Sequence, residues 1–211
     1  MDSESGGTVG YRAIVIGATG AVGSALTRDL LASPRCSAVT ILTRRATDIF
    51  TVVPGAEKLT RRVVDLDQLE IQAREPASGC DAAFCTMGIG QPRKVSRLEF
   101  WKVDVEYASA FARACQAAGV RHMSLLTSVG ADATSRTYYL RVKGSVEAAY
   151  RAVGFARLSL FRPSLLVARE TRYGMQDWVT QLVFPRLSWM LPSRYHEIRV
   201  EELGRAMRLN A

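Results

Sequence analysis

Three side chains in the second half of the sequence are of the right kind to move a proton on or off an oxygen: Ser128, Tyr139 and Lys143. In Tyr139-Leu-Arg-Val-Lys143 the phenol and the ammonium stand four residues apart, a spacing that sets both on one face of a helix. A free phenol releases its proton only at about pH 10, too high for exchange with an alcohol or ketone at neutral pH. A neighbouring ammonium stabilises the phenolate. In such a set Ser128 would hydrogen-bond the substrate oxygen, and Tyr139 would deliver or remove its proton. Lys143 would also bond the ribose of a nicotinamide cofactor that moves the hydride. If the helix only packs, Tyr138 and Tyr139 are core and Lys143 is solvated.

The place for a cofactor is written near the N-terminus. An apolar strand (Ala13, Ile14, Val15, Ile16) breaks into Gly17-Ala-Thr-Gly20-Ala-Val-Gly23, and a helical run from Ala21 to Leu31 follows. A parallel strand ending in glycines, with a helix starting straight after, aims backbone N–H groups at one spot outside the sheet where a diphosphate can sit. The roles divide as Gly17 for the turn, Gly20 for close approach of the phosphate and Gly23 for packing of the helix on the strand.

The next strand, Ser37 to Thr43, ends on Arg44-Arg45 and on no acid. A carboxylate there would accept from the ribose 2′-hydroxyl of NAD, whereas arginine suits a 2′-phosphate, so the cofactor implied is NADP(H). A solvated basic turn is the other reading. A third strand, Leu59 to Leu66, ends on Asp65 and Leu66, where the polar residue either reaches adenine or caps the next short helix. Pro76 to Gly79 reads as a loop. A fourth strand, Asp81 to Met87, ends at Gly88-Ile-Gly90, small enough for the backbone to lie against the ribose and nicotinamide.

One long crossover helix is expected from Leu98 to Ala118, with Phe100, Val103, Ala108, Phe111, Ala112 and Cys115 on its apolar face and Gly119 as its stop. His122 to Thr127 is the fifth strand, Tyr138 to Val153 the helix that carries Tyr139 and Lys143, and Arg157 to Phe161 the sixth strand. Its exit is Arg162-Pro163-Ser164. His122, at the start of its strand and far from the ligand edge, reads as structural. Strands and helices alternating in this order give an α/β fold, a doubly wound parallel sheet of the Rossmann type in one domain over residues 11–211, after a flexible tail over 1–10. Residues 167–211 form a small C-terminal substrate or partner region. Within it the apolar segment 175–191, interrupted by Pro185, reads as core, lid, partner surface or membrane-surface contact.

Composition narrows the function. Four cysteines (Cys36, Cys80, Cys85, Cys115) without C-x-x-C spacing give neither a zinc site nor a disulfide frame, and two isolated histidines exclude a multi-histidine metal centre. The net charge of +8 is spread along the chain, with Arg44-Arg45 and Arg61-Arg62 the adjacent pairs, so nucleic acid is not the expected partner. No apolar run is long enough to span a bilayer, and the first ten residues are not a signal peptide, so the expected compartment is the cytoplasm.

These motifs together resemble the short-chain dehydrogenase/reductase superfamily, in its extended or atypical branch. Leu125 to Asp132 (LLTSVGAD), Tyr139 to Glu147 (YLRVKGSVE), Phe161 to Leu166 (FRPSLL) and Thr43-Arg44-Arg45 are similar to the Tat-interacting oxidoreductase-like group. The resemblance implies cofactor contacts from Thr19, Gly20, Ala21 and Val22, from Arg44 and Arg45, from Met87 and Gly88, from Tyr139 and Lys143, and from Leu166. Two departures stand out: the asparagine that other members carry after the fourth strand is missing from Thr-Met-Gly-Ile-Gly, and the substrate domain of sugar epimerases is much shortened. Nucleotide-sugar substrates are therefore not expected. The last helix stops at Ala211 where a family member would continue, so a shortened chain is expected. The function implied is an NADP(H)-dependent oxidoreductase of a small carbonyl or alcohol. Its alternative is an NADPH-binding redox sensor or assembly protein that acts on a protein partner through 175–191.

Overall fold

A computed structural model describes residues 10–164, 166–167 and 197–211. Residues 1–9 of the tail expected over 1–10 and the apolar segment 175–191 lie outside the described residues. Six strands form one parallel sheet in the order β3-β2-β1-β4-β5-β6. They are β1 (Tyr11–Ile16), β2 (Cys36–Thr43), β3 (Leu59–Val63), β4 (Ala82–Cys85), β5 (His122–Leu126) and β6 (Arg157–Phe161). The chain winds outward from β1 through β2 to β3, returns to lay β4 on the other side of β1, and continues outward. The strand order therefore reverses between β1 and β4. A crevice opens at the carboxyl ends of those two strands, the place where such sheets bind ligands.

The core lies on both faces of the sheet, and β1 divides its side chains between them. Ile14 and Ile16 enter one apolar cluster with Phe100, Phe111 and Tyr150, whereas Ala13 and Val15 enter the other with Leu26, Leu30 and Met207. This is the period-two alternation of a strand covered on each side. Helix α1 (Ala21–Ala32) packs in the second cluster, against the last helix of the chain. Two short turns, α2 (Leu69–Gln72) and α3 (Arg74–Ala77), lead from β3 towards β4. Pro76, expected in a loop, sits inside α3, where a first-turn proline loses no intrahelical bond.

The crossover after β4 departs from the expected single helix. Helix α4 (Arg97–Trp101), capped by Ser96 Oγ accepting from the Glu99 N–H at 3.0 Å, runs into a π-helical stretch (Lys102–Tyr107) before α5 (Ala108–Ala117). The wider turn changes which residues face the sheet. Val103 is only half-buried, and Asp104 and Val105 take the interior positions. Helix α6 (Tyr138–Val153) follows β5 and ends on Gly154 at φ +81°, the left-handed cap position that favours glycine.

Past β6 the described residues form a second, two-stranded parallel sheet of β7 (Leu166–Val167) and β8 (Ile198–Arg199), and then α7 (Val200–Leu209). Gly204 on α7 lets that helix come against α1. A Cβ there would stand 2.7 Å from the Leu26 nitrogen.

Candidate cofactor crevice and Ser-Tyr-Lys site

The glycine loop closes β1 over the exit of β4. Gly17 has φ +86°, and a Cβ on it would meet the Met87 nitrogen at 2.5 Å. Gly23, buried in the first turn of α1, faces the same strand exits: its missing Cβ would lie 2.2 Å from the Gly17 oxygen and 2.5 Å from Thr86 Oγ1. Gly20 is the N-cap of α1 in extended conformation, with no side-chain cap and no acid in the first turn. The Thr19, Ala21 and Val22 backbone completes this uncapped helix start. Such an end presents N–H groups and the positive pole of the helix to an anion.

The exits of β2 and β3 flank the loop. Thr43 ends β2 with its hydroxyl buried and without a hydrogen-bond partner among the described residues. Arg44 and Arg45, next along the chain, are exposed. Asp65 caps the 3-10 turn that starts at Leu66, its Oδ1 accepting from the Asp67 N–H at 3.0 Å. The uncapped α1 and the unpartnered Thr43 hydroxyl fit the diphosphate and ribose of a dinucleotide.

Ser128 lies in the turn out of β5, where its Oγ donates to the Val129 carbonyl at 3.3 Å. Tyr139 occupies the first turn of α6, and its ring stacks on Phe100 of α4 with centroids 5.9 Å apart and planes 6° from parallel. Tyr138 takes a packing role instead: its hydroxyl donates to the Arg97 carbonyl at 2.7 Å, and its ring meets Phe100 edge-on. Lys143 is one turn past Tyr139, its Nζ 5.9 Å from the centre of that ring. It reaches across to the loop after β4, because a Cβ on Gly88 would lie 3.4 Å from Lys143 Nζ. Gly144, the next residue, permits the helix to sit against the preceding loop, where a Cβ would come 2.0 Å from the Ala133 nitrogen.

The ammonium of Lys143 has a partner that the sequence did not announce. Asp104, buried in the π-helical stretch, accepts from Lys143 Nζ at 2.6 Å through Oδ1 and from the Ile89 N–H at 2.9 Å through Oδ2. The carboxylate is 0% exposed and the lysine side chain 11%. Burial works against the ammonium, and Asp104 together with Tyr139 more than offsets it, so Lys143 holds its proton above the ordinary lysine range. Glu147, a turn further on, is also buried and is held by Arg162 from the exit of β6. Asp104 stands four residues from both Phe100 and Ala108, a spacing that sets it on the inner face of the crossover although its charge reads as solvent-facing.

A groove of about 480 Å³ lined by Leu66, Asp67, Ile71, Lys102, Glu106 and Arg113, among others, lies beside the crossover and contains none of Ser128, Tyr139 and Lys143. His122 stands at the base of β5, its Nε2 2.9 Å from Ser159 Oγ. Leu166 lies in β7, half-exposed. Among the described residues no group of acids, cysteines and histidines could hold a metal ion, and no helix is long and apolar enough to cross a membrane.

Residues 17–160 match the family described as NAD(P)H-binding. The rat protein HTATIP2 is 36% identical over 180 residues, 83% of this chain and 72% of that protein. The mitochondrial protein FMP52 of Candida albicans is 28% identical over 171 residues, 80% of this chain and 73% of its own length. Among solved structures, MoeE5 in complex with UDP-glucose and NAD superposes with a TM-score of 0.70 at 17% identity, covering 95% of this chain and 71% of that one. The Bordetella bronchiseptica enzyme WbmH in complex with NAD+ gives 0.69 at 16%, covering 94% and 71%. The last two share the fold. The family match and the rat relative show that this chain belongs to the NAD(P)H-binding family, in the HTATIP2-like group.

Proposed function

We propose that the protein is an NADP(H)-dependent oxidoreductase that interconverts a small carbonyl compound and its alcohol. The observation that supports it most is the reach of Lys143 from α6 to the backbone at Gly88, which brings the ammonium to the sheet edge where the strand order reverses. The start of α1 would hold the diphosphate, Arg44 and Arg45 the 2′-phosphate, Leu66 and the Asp65 oxygen not used in capping the adenine edge, and Met87, Gly88 and Leu166 the nicotinamide half. When bound, the dinucleotide supplies or accepts the hydride. Ser128 would hydrogen-bond the substrate oxygen. Tyr139 would give its phenolic proton to that oxygen as the carbonyl is reduced, or take it back as the alcohol is oxidised, with Lys143 providing the positive charge beside the phenol.

A screen of NADPH oxidation over aldehydes, ketones and quinones, beside titrations of NADPH and NADH, tests this reading. Tyr139→Phe should lower turnover by about 10²- to 10⁴-fold and leave NADPH binding intact. Arg44→Ala with Arg45→Ala should weaken NADPH about tenfold or more while leaving NADH unchanged. Equal affinity of the wild type for the two dinucleotides would refute the arginine assignment. Full cellular function in Tyr139→Phe would favour the sensor reading. The compartment expected is the cytoplasm, whereas the fungal relatives are named mitochondrial, and fractionation decides between them.

A further inference from the structure

We propose that the sheet itself completes the seat of the cofactor's 2′-phosphate: Arg61 of β3 supplies a third guanidinium beside Arg44 and Arg45, and Thr43 at the end of β2 supplies a hydroxyl donor. The proposal rests on the NADP(H) reading above and extends it to two residues outside the glycine loop and the arginine pair.

Two polar atoms on one face of neighbouring strands are buried and unsatisfied. Thr43 Oγ1 and Arg61 Nε are shut off from water and have no hydrogen-bond partner among the described residues. The parallel register pairs Ile41 with Arg61 and Thr43 with Val63. By the two-residue period of a strand, Thr43 and Arg61 therefore belong to the same face, the one on which Ile41 and Phe50 enter the apolar core. A hydroxyl and a guanidinium nitrogen left there without partners carry a desolvation penalty that an incoming acceptor removes.

Arg61 is also fixed where it stands. One of its terminal nitrogens donates to the Ile49 carbonyl at 2.9 Å, on the loop that begins with Arg44 and Arg45. The next residue, Phe50, is 3% exposed and holds φ +65°, the one non-glycine residue at positive φ among the described residues. The Arg28 guanidinium of α1 lies 5.4 Å from the centre of its ring. A phenylalanine keeps such a backbone only where its surroundings dictate it. The loop is thus pinned from β3 and from α1, and the Arg61 fork is held with its Nε unpartnered.

Charge names the occupant. Arg44, Arg45 and Arg61 make no ion pair among the described residues, whereas Arg113, Arg162 and Arg208 do. Asp48, the acid on the same loop, is exposed and pairs with none of them. A guanidinium has donors and no acceptor, so the bare 2′-hydroxyl of NAD, uncharged and with a proton of its own to place, matches it poorly. A phosphate monoester brings three acceptor oxygens and nearly two negative charges.

The test uses the whole chain and two fragments that differ by one group, adenosine 2′,5′-bisphosphate and adenosine 5′-monophosphate, titrated by calorimetry. The wild type should prefer the bisphosphate by about a hundredfold. Arg61→Met should weaken the bisphosphate about tenfold or more and leave the monophosphate unchanged. Arg61→Lys keeps the charge without the fork and should fall between the two. Thr43→Val replaces an unsatisfied hydroxyl with a methyl of the same shape, so it keeps the fold, and should weaken the bisphosphate about two- to tenfold.

An undiminished preference in either Arg61→Met or Thr43→Val would overturn the proposal and leave Arg44 and Arg45 their role. Equal losses for both fragments would overturn it too, since Arg61 would then only hold the loop. A wild type without preference would remove the proposal together with the NADP(H) reading beneath it. Thr43→Val decides even if Arg61→Met does not fold.

Discussion

Arg162, at the exit of β6, grips the buried carboxylate of Glu147 in α6 with two nitrogens. Its Nε donates to Oε1 at 2.7 Å and its second nitrogen to Oε2. Arg151 adds a bond at 3.1 Å, and the Glu147 side chain is 1% exposed. Glu147 lies two turns from Tyr139 on the helix that carries Lys143, so the contact locks the exit of β6 to the candidate catalytic helix.

Glu147→Gln should destabilise the fold by about 1–3 kcal/mol, because one oxygen acceptor becomes a donor facing a guanidinium. Burial raises the Glu147 carboxyl and Arg162 more than offsets it, leaving it below the usual range. Its contribution is therefore present above the unfolded value of about 4.3 and lost as pH falls through the folded one. Urea unfolding of Glu147→Gln, Arg162→Met and the double variant should give a coupling of about 0.5–3 kcal/mol at pH 7. A coupling of zero would show that the pair is incidental.

His122 supplies a second pH signature with a different window. Burial, reinforced by Arg157, pushes the imidazole down to about 4, so the neutral ring is the form that the fold accepts. The unfolded chain takes up this proton near pH 6.5 and the folded one does not until about 4. The stability is thus complete above the unfolded value and declines as pH drops between the two, by on the order of 3 kcal/mol. His122→Gln should lose less stability between pH 7 and pH 4 than the wild type. Parallel slopes in denaturant titrations at the two pH values would contradict this.

Gly23→Ala should cost about 1–3 kcal/mol and weaken dinucleotide binding tenfold or more, because the new methyl enters the Gly17 carbonyl and the Thr86 hydroxyl. Gly154→Ala is the control: φ is +81° and nothing lies within 4 Å. It should cost about 1–2 kcal/mol through backbone strain alone, with binding unchanged. Thermal melts and NADPH titrations separate the two, and a loss of affinity in the control would show that stability, not the loop, governs binding.

The sheet and its crevice were legible because each rests on a local signal. The central strands β1, β2 and β4 are short apolar runs bounded by turn residues, and Gly17 stands where a left-handed backbone is required. Strand ends were less so: β3 stops at Val63 and not Leu66 because Asp65 begins a capped turn. Asp104 and Glu147 were not legible as site residues. Their burial depends on partners 39 and 15 residues away, and nothing in a local pattern marks an acid as interior. Val103 was assigned to the apolar face by a 3.6-residue period that the π-helical stretch does not keep.

That stretch joins the two halves of the crossover helix. Ahead of it Phe100 meets Tyr139; beyond it Ala108, Phe111 and Cys115 cover the sheet. Phe100, Asp104, Ala108, Phe111 and Cys115 follow one another at spacings of four, four, three and four residues, which keep them on one side of the crossover. Deleting a single residue between 102 and 107 would therefore rotate everything upstream by about 100° relative to the downstream half of the helix. A length change too small to disturb composition or hydropathy would take the aromatic support and the carboxylate away from the crevice together.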